Sequence, residues 1–125
     1  MNLGLFEMIN LIIALGILNV WLIRFNKKTS FRGGNAKNLK DEFKVYGLPE
    51  WLFFTVGVLK ISLAILLIIG IWYKFLNIYT TISMAILMIG AIFMHYKVND
   101  SLKKSLPAIG ILIMLISTII NIYYL

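Results

Sequence analysis

Two ionisable residues stand inside long apolar runs, and any chemistry would be sought there first. Lys60 lies between Gly57 and Ala64 in the stretch Pro49 to Tyr73, while Glu7 shares a helical face with Asn10 and Ala14 in the stretch Leu3 to Ile23. A charged side chain near the centre of a hydrocarbon layer costs ~3 kcal/mol on insertion scales, so such groups face protein or water. Lys60 is about 11 residues past Pro49, or ~16 Å along a helix, close to mid-bilayer. With the first two spans antiparallel, Glu7 is offset from it by roughly 9 Å along the normal, a gap that a lysine side chain narrows. The expectation is a direct or water-bridged ion pair between Glu7 and Lys60, with Asn10 beside it. The alternative has Glu7 reaching out to the headgroups while Lys60 binds backbone or asparagine groups.

The sole histidine, His95, follows Met84, Met88 and Ala91 along one helical face. Thioether and imidazole together suit a soft metal such as copper. Met84 and Met88 fit ordinary apolar packing as well, and His95 adjoins Tyr96 and Lys97, so packing with an interfacial polar tip is expected and no metal site is assigned. Such a tip can carry protons near neutral pH. The sequence holds no glycine-rich phosphate loop before a helix, no metal-ligand spacing and no nucleophile with paired His and Asp. It also holds no cysteine, which removes disulfides and thiol chemistry.

The elements that position these residues follow from composition. Of 125 residues, 61% are hydrophobic and 14% charged, against roughly 45–50% and about 25% in soluble domains. The apolar residues fall into four blocks, near 3–23, 49–73, 76–96 and 107–125. Each approaches or exceeds the roughly 20 residues that a helix needs to cross a bilayer. The first block lacks the basic start and small-residue cleavage site of a signal peptide, and it reads as a retained span. Pro49 and Pro107 suit first helical turns, and Trp51, Trp72, Tyr123 and Tyr124 suit the headgroup level. Continuous apolar runs exclude the alternation of barrel strands. Gly70, Gly90 and Gly110 permit close helix contact. The expected fold is all-α: a polytopic membrane protein of one domain, residues 1–125, built as a four-helix bundle.

The formal charge of +7 is a topology signal before it is anything else. Arg24, Lys27, Lys28, Arg32, Lys37, Lys40 and Lys44 lie in the first loop and Lys97, Lys103 and Lys104 in the third, against Lys74 alone on the opposite side. Basic residues stay cytoplasmic, so both termini are expected outside and these two loops inside an inner, multi-pass membrane. Nucleic acid is not an expected partner, because the charge clusters where topology requires it. Within the first loop, Ala36, Leu39, Phe43 and Tyr46 recur at helical spacing opposite Lys37, Lys40, Asp41 and Lys44. This predicts a short amphipathic helix over 36–46, capped by Asn35, ended by Gly47 and lying along the lipid interface.

The run Thr29-Ser30-Phe31-Arg32-Gly33-Gly34, then Lys40-Asp41-Glu42-Phe43, then Tyr46-Gly47-Leu48-Pro49-Glu50-Trp51, resembles the segment before the second span of DoxX-like membrane proteins. Val56 to Lys60, Ala85 to Ala91, His95 and Asn99-Asp100 continue the likeness over nearly the whole chain. The resemblance implies a four-helix integral membrane bundle. Relatives in the wider group it points to are connected with sulfur oxidation through a quinone, oxidative-stress complexes, and maturation or trafficking of other membrane proteins. It brings no agreed catalytic motif, and a quinone is the one cofactor it suggests.

The leading expectation is an accessory or anchoring subunit of an inner-membrane, redox-linked assembly rather than a free-standing enzyme. Its Lys60 face would hold a partner helix, a lipid or a quinone, and its partner would be a membrane oxidoreductase or a second copy. Two alternatives remain: a small oligomeric transporter or channel using Glu7, Asn10, Lys60 and His95, and a membrane-protein chaperone or structural subunit in which the charges fix helix register.

Overall fold

The structure, a computed structural model, describes residues 4–27, 29 and 31–124. Leu3, Lys28, Ser30, Leu125 and the side chain of Tyr124 lie outside the described residues. Helix α1 spans Leu5–Leu18 and continues as a π-helical turn over Asn19–Ile23; α2 spans Leu39–Val45 and α3 spans Glu50–Ile69. A 3-10 turn, Lys74–Leu76, leads into α4 at Asn77–Lys97, and α5 spans Leu102–Tyr124. Four helical stretches are long and apolar enough to cross a membrane: Leu5–Ile23, Glu50–Ile69, Lys74–Lys97 and Leu102–Tyr123. The chain is therefore a multi-pass membrane protein in contact with the bilayer.

The four spans close into a ring, α1 against α3, α3 against α4, α4 against α5 and α5 against α1. Burial follows the helical repeat, with Asn10, Ile13, Ala14 and Ile17 inward on α1 and Thr80, Thr81, Met84, Met88 and His95 inward on α4. Ile13, Ala64, Leu67, Met84 and Leu115 form the centre. Large apolar side chains such as Trp51, Phe54, Ile86 and Ile113 face outward, as expected where the solvent is hydrocarbon.

Two expected boundaries move. Helix α5 opens at Leu102, not at Pro107, which lies inside it. The missing proline N–H deprives only the carbonyl of the exposed Lys103, four residues earlier and near the loop, where water can serve it. Helix α2 opens at Leu39, and its cap is Asn38 rather than Asn35, with the Asn38 side chain accepting the Asp41 N–H at 2.8 Å. The predicted end at Gly47 is observed: Gly47 has φ +75°, and the N–H groups of Gly47 and Leu48 return to the carbonyls of Lys44 and Phe43.

The stripe Ala36, Leu39, Phe43 and Tyr46 is buried as the periodicity demands, but by protein rather than lipid. The Phe43 ring packs edge-on to Trp21 and Phe53, at centroid distances of 6.1 and 5.5 Å. The apolar face of α2 thus plugs one end of the bundle.

Candidate functional site

The end of α4 is built by its own cap. Asn99 takes φ +59°, the left-handed conformation that asparagine tolerates, and the N–H groups of Asn99 and Asp100 bond the carbonyls of Tyr96 and His95. This Schellman turn folds Asp100 back over His95. The Asp100 carboxylate therefore meets His95 Nδ1 at 2.8 Å, while Nε2 faces Glu42 Oε1 at 3.8 Å. The other Asp100 oxygen accepts the Gly34 N–H at 3.0 Å and lies 3.6 Å from Lys104 Nζ. Lys104 also donates to the Gly34 carbonyl, at 2.6 Å. Burial raises the Asp100 pKa, but the His95 and Gly34 hydrogen bonds and the Lys104 charge outweigh it and hold the carboxyl below its ordinary value.

Loop one supplies the other half of the cluster. Arg32 is buried and donates to the carbonyls of Arg24 and Lys27, which ties the loop to the end of α1. Its guanidinium faces Glu42 at 3.5 Å. Glu42 in turn accepts the Tyr46 hydroxyl at 2.5 Å, and that hydroxyl lies 3.3 Å from both ring nitrogens of His95. Equal distances align it with neither ring nitrogen's lone pair. Burial first, then the Glu42 charge and hydrogen bond, push the Tyr46 phenol well above its usual range, so Tyr46 is a neutral donor. Gly33 makes room for this arrangement, since a Cβ there would lie 2.6 Å from the Tyr46 ring. Lys97 closes the set by donating to the Tyr46 carbonyl at 3.1 Å.

A cavity of about 480 Å³ lies beside this cluster, within the size range of small-molecule sites. Its apolar walls include Ile17, Val20, Met88, Ala91, Ala108 and Ile111; its charged or titratable groups are Arg24, Arg32, Glu42, Lys60, His95 and Lys104, with Asn19 and Thr29 as neutral polar ones. The π-helical turn shapes one wall. The Arg24 N–H bonds Asn19 O, five residues back, at 2.9 Å, and the buried Trp21 ring reaches α3, where Gly57 leaves it space. Lys60 Nζ sits over that ring, 5.5 Å from its centroid, in a cation–π contact.

The expected Glu7–Lys60 pair is not formed. Glu7 faces Lys74 Nζ at 3.6 Å, because the turn before α4 brings Lys74 to the level of the α1 start. Lys60 is directed instead toward the loop-one end, to Trp21 and the cavity. Asn10 is buried on the inward face of α1, and its Oδ1 has no hydrogen-bond partner among the described residues. Met84 and Met88 are core residues, and Met88 also lines the cavity. His95 is no interfacial tip; it is buried in the polar cluster. Among the described residues no group of three or more His, Cys, Asp or Glu is placed to hold a metal. Sequence reasoning missed Arg32, Glu42, Tyr46, Asp100 and Lys104 as one site. The only local signal was His95 followed by Asn99-Asp100, the spacing of a Schellman cap.

A sequence model of the DoxX-like family matches residues 17–117. That span contains Lys60, the walls of the cavity and every member of the polar cluster. No curated protein matches the chain, and no solved structure matches it.

Proposed function

The chain belongs to the DoxX-like family, and on that premise we propose that it is an accessory subunit of an inner-membrane, redox-linked assembly whose task is to hold a small lipophilic molecule. One observation carries this reading: among the described residues the Lys60 ammonium has no hydrogen-bond or ion-pair partner, only the Trp21 ring, and it opens on an apolar-walled cavity. A buried or half-buried charge without an acceptor is costly, and an oxygen-bearing head group offsets that cost.

The quinone suggested by the family fits these residues. Lys60 and His95 line the cavity as hydrogen-bonding groups for ring oxygens, and Ile17, Val20 and Ile111 offer the tail apolar walls. A bound quinone supplies electron- and proton-carrier chemistry; the chain itself binds, orients and shields the head. The partner in this reading is a membrane oxidoreductase, and the basic loops face the cytoplasm.

The test is purification from native membranes in mild detergent, with quantitative mass spectrometry of the retained proteins and lipophiles. A stoichiometric oxidoreductase together with a lipophile that Lys60→Met loses and Lys60→Arg keeps is the expected result. A bare homo-oligomer with neither overturns the reading.

A further inference from the structure

The charges around the cavity can be accounted for one by one, and the remainder says what kind of head group fits. From loop one Arg32 faces Glu42 of α2 at 3.5 Å. On the α4 side, His95 is held by Asp100 at 2.8 Å, and from α5 Lys104 faces the same carboxylate at 3.6 Å. Arg24, at the end of α1, is exposed. Lys60 of α3 has no acid within ion-pair distance among the described residues: Glu42, whose charge reaches it across the cavity, is held by Arg32, and the ammonium rests on an aromatic face. A neutral head such as a quinone satisfies its N–H donors, and a head that also carries a negative charge adds the ion pair that Lys60 lacks, in a medium of low dielectric.

Resting on the reading that the cavity holds a lipophile, we propose that its ligand is a single-chain amphiphile with a weakly acidic O–H head, a phenol or a carboxylic acid, held as its anion against Lys60. The O–H bond breaks heterolytically on binding; the oxyanion stays beside the ammonium and the proton leaves to water at the loop end. No redox step is involved.

The experiment uses the full chain in phosphatidylcholine nanodiscs and a para-nitrophenol carrying an alkyl tail, whose phenolate absorbs in the visible. Its methyl ether is the neutral control. With the protein present the phenolate band is expected to appear about one to two pH units lower than in empty discs, the effect of a nearby opposite charge. Lys60→Met abolishes this shift and Lys60→Arg retains it. A long-chain fatty acid or phenol displaces the probe, and the methyl ester or ether of the competitor does so much more weakly. A phenolate band at the pH of empty discs, or a shift that survives in Lys60→Met, overturns the proposal. Ether binding without the shift overturns the charge argument alone and leaves the lipophile reading standing; absence of binding by both probes overturns the two together. Should Lys60→Met lose its helical signal, Lys60→Gln takes its place in the same comparison.

Discussion

Asp100 does more than any other single side chain to join the loops at one end of the bundle. It accepts from Gly34 of loop one, pairs with His95 of α4 and faces Lys104 of α5, with only 5% of its side chain exposed. Its carboxyl is held below the ordinary aspartate value of about 3.9, so the ionised form binds more strongly folded than unfolded. That contribution is complete above the unfolded value and is lost as pH falls through the depressed folded one. Acidification below about pH 4 should therefore lower the Tm of the detergent-solubilised protein. Asp100→Asn keeps the shape and removes the titration: a loss of about 1–3 kcal/mol at neutral pH and a flatter acid limb are expected. Acid limbs of equal steepness in the two proteins would contradict this account. None of this was readable from composition. His95 looked like an interfacial histidine because its neighbours Tyr96 and Lys97 are interfacial, yet the cap at Asn99 turns the chain so that the imidazole is covered.

At the scale of elements, the spans were legible and their partners were not. Apolar runs of membrane length identify four helices, because in hydrocarbon every backbone group must be satisfied within its own helix. Ion pairing between spans depends on how far each side chain reaches and in which direction, and here sequence reasoning joined Glu7 to Lys60 when the structure joins Glu7 to Lys74. The π-helical turn Asn19–Ile23, which no residue pattern in the sequence marks, accompanies the placement of Trp21 beneath Lys60. Gly57 is the residue that permits this contact. A Cβ there would lie 2.8 Å from Trp21 Cζ3, and Phe43 and Phe53 pack against the same ring and limit its retreat. Gly57→Ala is expected to cost about 1–3 kcal/mol by overpacking and to move Trp21 from Lys60. In a Trp51→Phe, Trp72→Phe background, where Trp21 is the only remaining tryptophan, its emission should shift and retention of the proposed lipophile should fall, with helical content unchanged. An unaltered spectrum in the alanine variant would mean that Trp21 does not depend on Gly57.

For the whole molecule, the asymmetry of charge and the asymmetry of structure coincide. Loops one and three meet at one end of the ring, joined by Gly34 to Asp100, Lys104 to Gly34 and Lys97 to Tyr46. In sequence, these two loops hold ten of the twelve basic residues, some of which are structural: Arg32 is buried, and Lys104 holds the loop. The sequence made the first point legible through a counting rule but not the second, because a count does not distinguish a lysine that meets water from one that meets a carbonyl. The orientation proposed from the full set is open to a direct test, which the cysteine-free chain suits. Single cysteines at the exposed positions Lys37, Lys74 and Lys103 can be challenged with a membrane-impermeant maleimide in intact cells. Lys74→Cys should label at once, and Lys37→Cys and Lys103→Cys only after the membrane is permeabilised. A full reversal of this pattern would invert the protein in the membrane and leave the bundle intact. Labelling of Lys37→Cys and Lys103→Cys from opposite sides would contradict the bundle itself, since the contacts around Asp100 require both loops at one end.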